Sequence, residues 1–198
     1  MNYFDPYGNL QLSSLLSILS FLRTIIYTVS ALIESFESTH SYDAFLDALA
    51  MSESSDNYGA KNQFGYLGRY QMGKAALQDV GLKDASGEWT EYANALGIYS
   101  NEDFLNSPDV QDMAIKECHK KVCGYIIAYD LNCYIGTIYQ GVIVTKSGLL
   151  AACHLVGARN MKNALQNGSV VKDGNGVPAH IYMKRFAWYD ISEVWPNG

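Results

Sequence analysis

The segment from Leu10 to Ile33 constrains this chain more than any other: it is strongly apolar, yet Ser13, Ser17, Ser20, Thr24 and Thr28 recur through it with helical period. Its length raises the question of a membrane span. Arg23 lies near its centre, however, and would cost about 2.5–3.5 kcal/mol in a bilayer. An amphipathic helix packed on the domain or on a partner is therefore preferred, and a membrane span is disfavoured. The opening Met1-Asn2-Tyr3-Phe4-Asp5-Pro6 lacks the basic region of a secretory signal.

The remainder reads as one domain. No repeat or Pro-rich linker divides it, and a soft boundary falls at Glu34 to Ser41, separating an appendage over residues 1–40 from a domain over 41–198. A hydrophobic fraction of 48% supports a sizeable core. The net charge of −6, with no Lys/Arg cluster, excludes nucleic acid as a partner. That charge also opposes long-range attraction to an anionic wall, so a polysaccharide would be held by short-range contacts. The 15 tyrosines and 3 tryptophans are able to supply them, although core packing is the commoner use of an aromatic ring.

Periodicity predicts a helix over Tyr42 to Ser52, with Tyr42, Phe45, Leu46 and Leu49 on one face, then loop or short strand to Gly73, and helix again from Lys74. Asn106-Ser107-Pro108-Asp109 starts a helix, with Ser107 as N-cap, running to about Tyr129; Val110, Met113, Ala114, Cys118, Val122 and Ile126 face inward. Further helices are expected over Ser147 to Val156 and Asn160 to Gln166, ended by Gly157 and Gly168. Only Tyr139 to Thr145 carries a β signal. The fold class is mainly α (α+β), a helical domain with a small β or loop-rich part.

Glu53 extends the apolar face of the Tyr42 helix, four positions after Leu49. Desolvation and the negative helix end both favour a protonated carboxyl there. Such an acid is what glycosidic cleavage needs, because the leaving oxygen must receive a proton. Periodicity alone fits a solvent-facing glutamate at a frayed end better. Glu53-Ser54-Ser55, however, is followed by Gly65-Tyr66-Leu67-Gly68-Arg69-Tyr70-Gln71-Met72. This resembles the signature of bacterial lytic transglycosylases and goose-type lysozymes, a Glu-Ser pair and then Gly-x-x-Gly-x-x-Gln. The resemblance implies a lysozyme-like fold, with Glu53 as catalytic acid at the cleft and Ser54 as its polar support. It further implies that glycines let backbone approach the sugar, and that Gln71, with Tyr66 and Tyr70, contacts the substrate. Leu149 to Gly157 resembles a later helix of that family, but Cys153-His154 stands where Tyr-Asn is usual. His154 is thus either a substrate contact or a core residue, and another aromatic is free to take the tyrosine's place.

The activity implied is cleavage of the β-1,4 bond between MurNAc and GlcNAc in peptidoglycan strands, by hydrolysis or by anhydro-forming transglycosylation, with no cofactor. Asp56, Glu88 and Glu91 are candidates for a second carboxylate. Delivery by phage or by a secretion system into rival bacteria, and a protective inhibitor protein, would follow. Rival readings are a non-catalytic glycan- or protein-binding module, a chitinase, and a membrane-active toxin acting through residues 10–33. Cys118, His119 and Cys123 make a poor zinc pattern, so no metal is assigned and buried free thiols are preferred. Asp173-Gly174-Asn175-Gly176 starts like a calcium loop but lacks its closing Glu, and a tight turn is the better reading.

Overall fold

The computed structural model describes residues 12–195 and divides into two units, residues 1–39 and 40–198. The expected segment from Leu10 begins outside the described residues. Among the described residues the first unit is one helix, α1 (Leu12–Thr39). Thr24 and Thr28 donate their hydroxyls to the carbonyls of Ser20 and Thr24, at 3.1 and 3.0 Å, and Arg23 reaches Tyr27 Oη at 3.2 Å. Its large apolar side chains, from Leu15 to Phe36, are exposed.

The second unit is mainly helical. It contains α2 (Tyr42–Ser54), three short helices α3 (Lys74–Asp79), α4 (Glu91–Ala95) and α5 (Asn101–Leu105), the long α6 (Pro108–Ala128), then α7 (Lys146–Val156), α8 (Ala158–Asn167) and α9 (Ala179–Arg185). Ser41 caps α2 by accepting from Ala44 N at 3.2 Å. Tyr42, Phe45, Leu46, Leu49 and Ala50 then form its buried face. Fully buried Phe45 and Leu49 each contribute about 1.5–3 kcal/mol by leaving water. The helix runs two residues beyond the predicted end, so Glu53 sits inside its last turn. Ser55 and Asp56, both with left-handed backbone (φ 57° and 63°), stop it.

Helix α6 crosses both parts of the core. Its buried face keeps the predicted Ala114, Cys118 and Ile126 and adds Gln111, Ile115, His119 and Cys123, so it is rotated partway from the predicted one; Val110, Met113 and Val122 are only partly buried. The rotation is possible because polar Gln111 is satisfied internally, while His119 bonds Tyr42. Ser107 occupies the N-cap position without capping: its hydroxyl donates to Asp103 O at 2.8 Å.

The β signal resolves into a two-stranded antiparallel hairpin, β1 (Ile138–Tyr139) and β2 (Val142–Ile143), pairing Ile138 with Ile143 and Tyr139 with Val142. Gln140 and Gly141 turn it with φ of 50° and 77°. Thr145 belongs to no strand; it caps α7. That helix is buried from Ser147 to Cys153, and α9 crosses it so closely that a Cβ on Gly148 would lie 2.5 Å from Met183 O.

Candidate active site

Glu53 meets an unpredicted partner. Tyr182, on α9, donates its hydroxyl to Glu53 Oε1 across 129 residues of sequence. The same phenol oxygen lies 3.0 Å from Ser52 Oγ, and Arg185 Nη1 donates to that Oγ at 2.7 Å. A phenol has a single proton. The shorter contact assigns it to Glu53, so Ser52 supplies the hydrogen of the second contact while accepting from Arg185. Burial, and then the charge of Glu53, push the Tyr182 hydroxyl well above its ordinary value, so it remains a donor. Glu53 Oε2 has no hydrogen-bond partner among the described residues, and the side chain is half-buried. Among the described residues one oxygen is held and the other is not.

The Gly-rich turn is fastened to the same end of α2. Ser54 Oγ donates to Arg69 O at 2.7 Å and accepts from Asn57 N at 2.9 Å, which makes it a clamp between helix and turn. Leu67 pairs with both Lys61 and Met72 in isolated bridges, giving a small β-like patch where loop or short strand was expected. Arg69 is the hub of this patch. Its guanidinium donates to Asp47 at 2.7 Å, Asp56 at 2.6 Å and Tyr70 Oη at 2.7 Å, and it lies 5.2 Å from the ring centres of Tyr58 and Tyr70. Burial alone would lower its proton affinity; hydrogen bonds to Asp56 and Asp47 reverse that and raise it.

The predicted substrate contacts separate here. Tyr66 is exposed, with its ring over Gly73. Gln71 is half-buried; its Nε2 donates to Gly68 O at 2.9 Å, and its backbone is left-handed at φ 46°. Tyr70 is corrected: it is 1% exposed, and its hydroxyl lies between Asp112, to which it donates at 2.8 Å, and Arg69. Its surface is spent inside the protein, because Asp112 and Arg69 satisfy the buried phenol. Gly68 is corrected too. Its φ is +77°, and a Cβ there would lie 2.0 Å from Gln111 Oε1, so the close approach it permits is to Gln111, not to a sugar. Gln111 accepts from Arg69 N at 2.8 Å and donates to Phe104 O at 2.8 Å, tying the turn to α5 and α6.

His154, on α7, is half-buried within electrostatic reach of Glu53, with its ring 5.3 Å from that of His119. Burial lowers its pKa below 6.5, while the nearby Glu53 charge acts in the opposite sense. His119 is wholly buried, with Nδ1 2.8 Å from Tyr42 Oη and Nε2 unpartnered, and burial holds it well below 6.5. Cys118, Cys123 and Cys153 are buried free thiols and Cys133 is exposed; burial raises Cys118 and Cys123 to about 12. Among the described residues no cluster of His, Cys, Asp or Glu is arranged to hold a metal. Asp173 Oδ1 accepts from Asn175 N and Val177 N, at 3.0 and 2.6 Å, which makes that segment a tight turn.

Of the candidate second acids, Asp56 is engaged by Arg69, while Glu88 and Glu91 are exposed. Trp89, between them, packs on Phe104 at 5.5 Å. Two clefts open elsewhere: about 330 Å³ beside Ile143, Lys146 and Trp188, and about 410 Å³ beside Tyr134, Tyr139 and Gln140; Glu53 lines neither. The residues that sequence reasoning missed are Ser52, Tyr182, Arg185, Arg69 and Gln111. Pro178 before α9 and Lys184-Arg185 at its end were its only local signals.

No family model, no curated protein and no solved structure matches this chain.

Proposed function

We propose that the second unit is a lysozyme-like enzyme that cleaves the MurNAc–GlcNAc β-1,4 bond of peptidoglycan, with Glu53 as its acid. The observation that carries this reading is the asymmetric carboxyl group, with Oε1 held by Tyr182 and Oε2 unengaged among the described residues, beside the clamped Gly-rich turn. In the proposed step, Glu53 Oε2 gives its proton to the glycosidic oxygen as the C1–O bond breaks. The negative charge left on Glu53 is stabilised by the Tyr182 donor, which is already in place. C1 is then taken by water or by the muramyl 6-hydroxyl, and the carboxylate recovers a proton from that attacking hydroxyl. Tyr66 and Gln71 stand at the turn as the proposed sugar contacts. Tyr182 occupies the role left open by Cys153-His154.

Digestion of purified sacculi by the wild type and by Glu53→Gln, with mass spectrometry of the fragments, tests this. Wild type releases muropeptides and the variant releases none; reducing ends mark hydrolysis and anhydro ends transglycosylation. Equal release by both proteins overturns the reading. An enzyme of this kind would act in the periplasm or wall after delivery by phage or a secretion system, and an inhibitor protein over Glu53 would protect the producer.

One observation favours a second reading, of a membrane-active protein. Ser14–Glu37 in α1 is a 24-residue helix, long and apolar enough by length and composition to cross a membrane. The back-bonded threonine hydroxyls reduce the cost of placing them in lipid. Removing residues 1–35 in the same sacculus assay separates the two: the enzyme keeps cutting, whereas a toxin that works through α1 loses its effect on membranes.

A further inference from the structure

Two arginines stand at the C-terminal end of α2, and they differ in what they leave for a ligand. Arg69 has a side chain 13% exposed and is enclosed by Asp47, Asp56 and Tyr70, with Asp112 at 3.7 Å. Arg185 is exposed, and its hydrogen bond among the described residues is the one from Nη1 to Ser52 Oγ. No carboxylate within the described residues forms an ion pair with it. A guanidinium carries five N–H donors, so most of those of Arg185 remain directed to solvent.

Its position is not arbitrary. Arg185 follows Tyr182 by three residues on α9, which puts both on one helix face. That face meets Ser52 and Glu53 in the last turn of α2. A cation without a carboxylate partner among the described residues is thereby held one residue from the proposed proton donor, in a chain of net charge −6. An anionic polymer gains nothing from that overall charge at long range, so a local cation is needed where it docks. The planar fork of arginine matches a carboxylate in two parallel hydrogen bonds.

We propose that Arg185 reads a carboxylate of the glycan strand beside the bond that Glu53 cuts, so that the site takes a carboxylated glycan in preference to a neutral one such as chitin. This rests on the reading of Glu53 as a glycan-cleaving acid. The carboxylate has two possible sources in peptidoglycan, the lactyl group of a peptide-free muramyl unit and the carboxylates of a stem peptide.

The test measures binding by calorimetry to the full chain carrying Glu53→Gln, alone and combined with Arg185→Gln or Arg185→Lys. The ligands are peptide-free MurNAc–GlcNAc oligosaccharides, the same strands with stem peptides, and peptide-free strands with carboxylates reduced to alcohols. Arg185→Gln is expected to weaken binding of a carboxylated strand about 10- to 100-fold and of the reduced strand less than about 2-fold, with Arg185→Lys between. A loss on peptide-free strands identifies the lactyl group; a loss confined to peptide-bearing strands identifies the stem peptide. Equal weakening of carboxylated and reduced strands, no weakening of either, or no binding of any strand by the parent overturns the inference. If Glu53→Gln still cuts sacculi, the catalytic reading fails independently of the carboxylate contact.

Discussion

In the proposed reaction, Tyr182 changes what Glu53 is able to do. A carboxyl at a helix end beside Leu46 and Leu49 is only a desolvated group; one whose Oε1 already accepts from a phenol has a stabilising donor waiting for the charge formed after proton transfer. Tyr182→Phe removes that donor and little volume. Because a hydrogen bond to a charged group is worth about 1.5–3 kcal/mol, kcat on sacculi should fall about 10- to 100-fold with KM and circular dichroism little changed. An unaltered kcat would show that the bond does not act in the reaction. The helix-end position of Glu53 was legible from residue order; its partner was not, because nothing local in Ala179 to Arg185 encodes a contact with α2.

At the level of the element, the Gly-rich turn owes its shape to protein contacts. Gly65 and Gly68 both have left-handed backbone, at φ +83° and +77°, but a Cβ on Gly65 meets open space while one on Gly68 meets Gln111 Oε1. Gln111 has little room to yield, since it bonds Arg69 N, Tyr58 O and Phe104 O. Urea unfolding should therefore separate two similar substitutions. Gly65→Ala should cost about 1 kcal/mol from backbone strain, and Gly68→Ala about 2–4 kcal/mol from strain plus overlap. Equal losses would mean that Gln111 moves freely and that the turn is not braced by α6. The motif was visible in the sequence as spacing. Its spacing resembles a sugar-facing loop, and only the packed structure reveals that Tyr70 and Gly68 are turned inward.

Across the second unit, the Tyr42–His119–His154 group joins α2, α6 and α7 and couples packing to pH. Both histidines are held below the ordinary 6.5, His119 by burial and then the nearby His154, His154 by burial against the opposing charge of Glu53. The unfolded chain takes up these protons as pH falls through about 6.5 while the folded unit does not, so their contribution to stability is complete above that pH and is lost on acidification. Thermal melts should show a lower Tm at pH 5 than at pH 7.5. His119→Gln, which can still bond Tyr42, should show a smaller difference; an identical one would remove His119 as the cause.

Elements with several turns of apolar period, α2, α6, α7 and α8, were readable from residues alone, because period and caps lie within a few positions of each other. The short α4, α5 and α9 have too few turns to show a period, and α9 carries Tyr182 and Arg185. The shift of the buried face of α6 toward Gln111 and His119 was equally hidden, since a pattern that counts apolar residues cannot foresee that those two find partners inside. Residue order thus determined the mainly helical class, Glu53 at a helix end and the turn that follows it. Tertiary structure alone decided which oxygen of Glu53 is held, which tyrosines are withdrawn into the core, and that Arg69 rather than Arg185 is ion-paired among the described residues. Those outcomes depend on desolvation and hydrogen bonding between segments up to 133 residues apart, and no local pattern carries them.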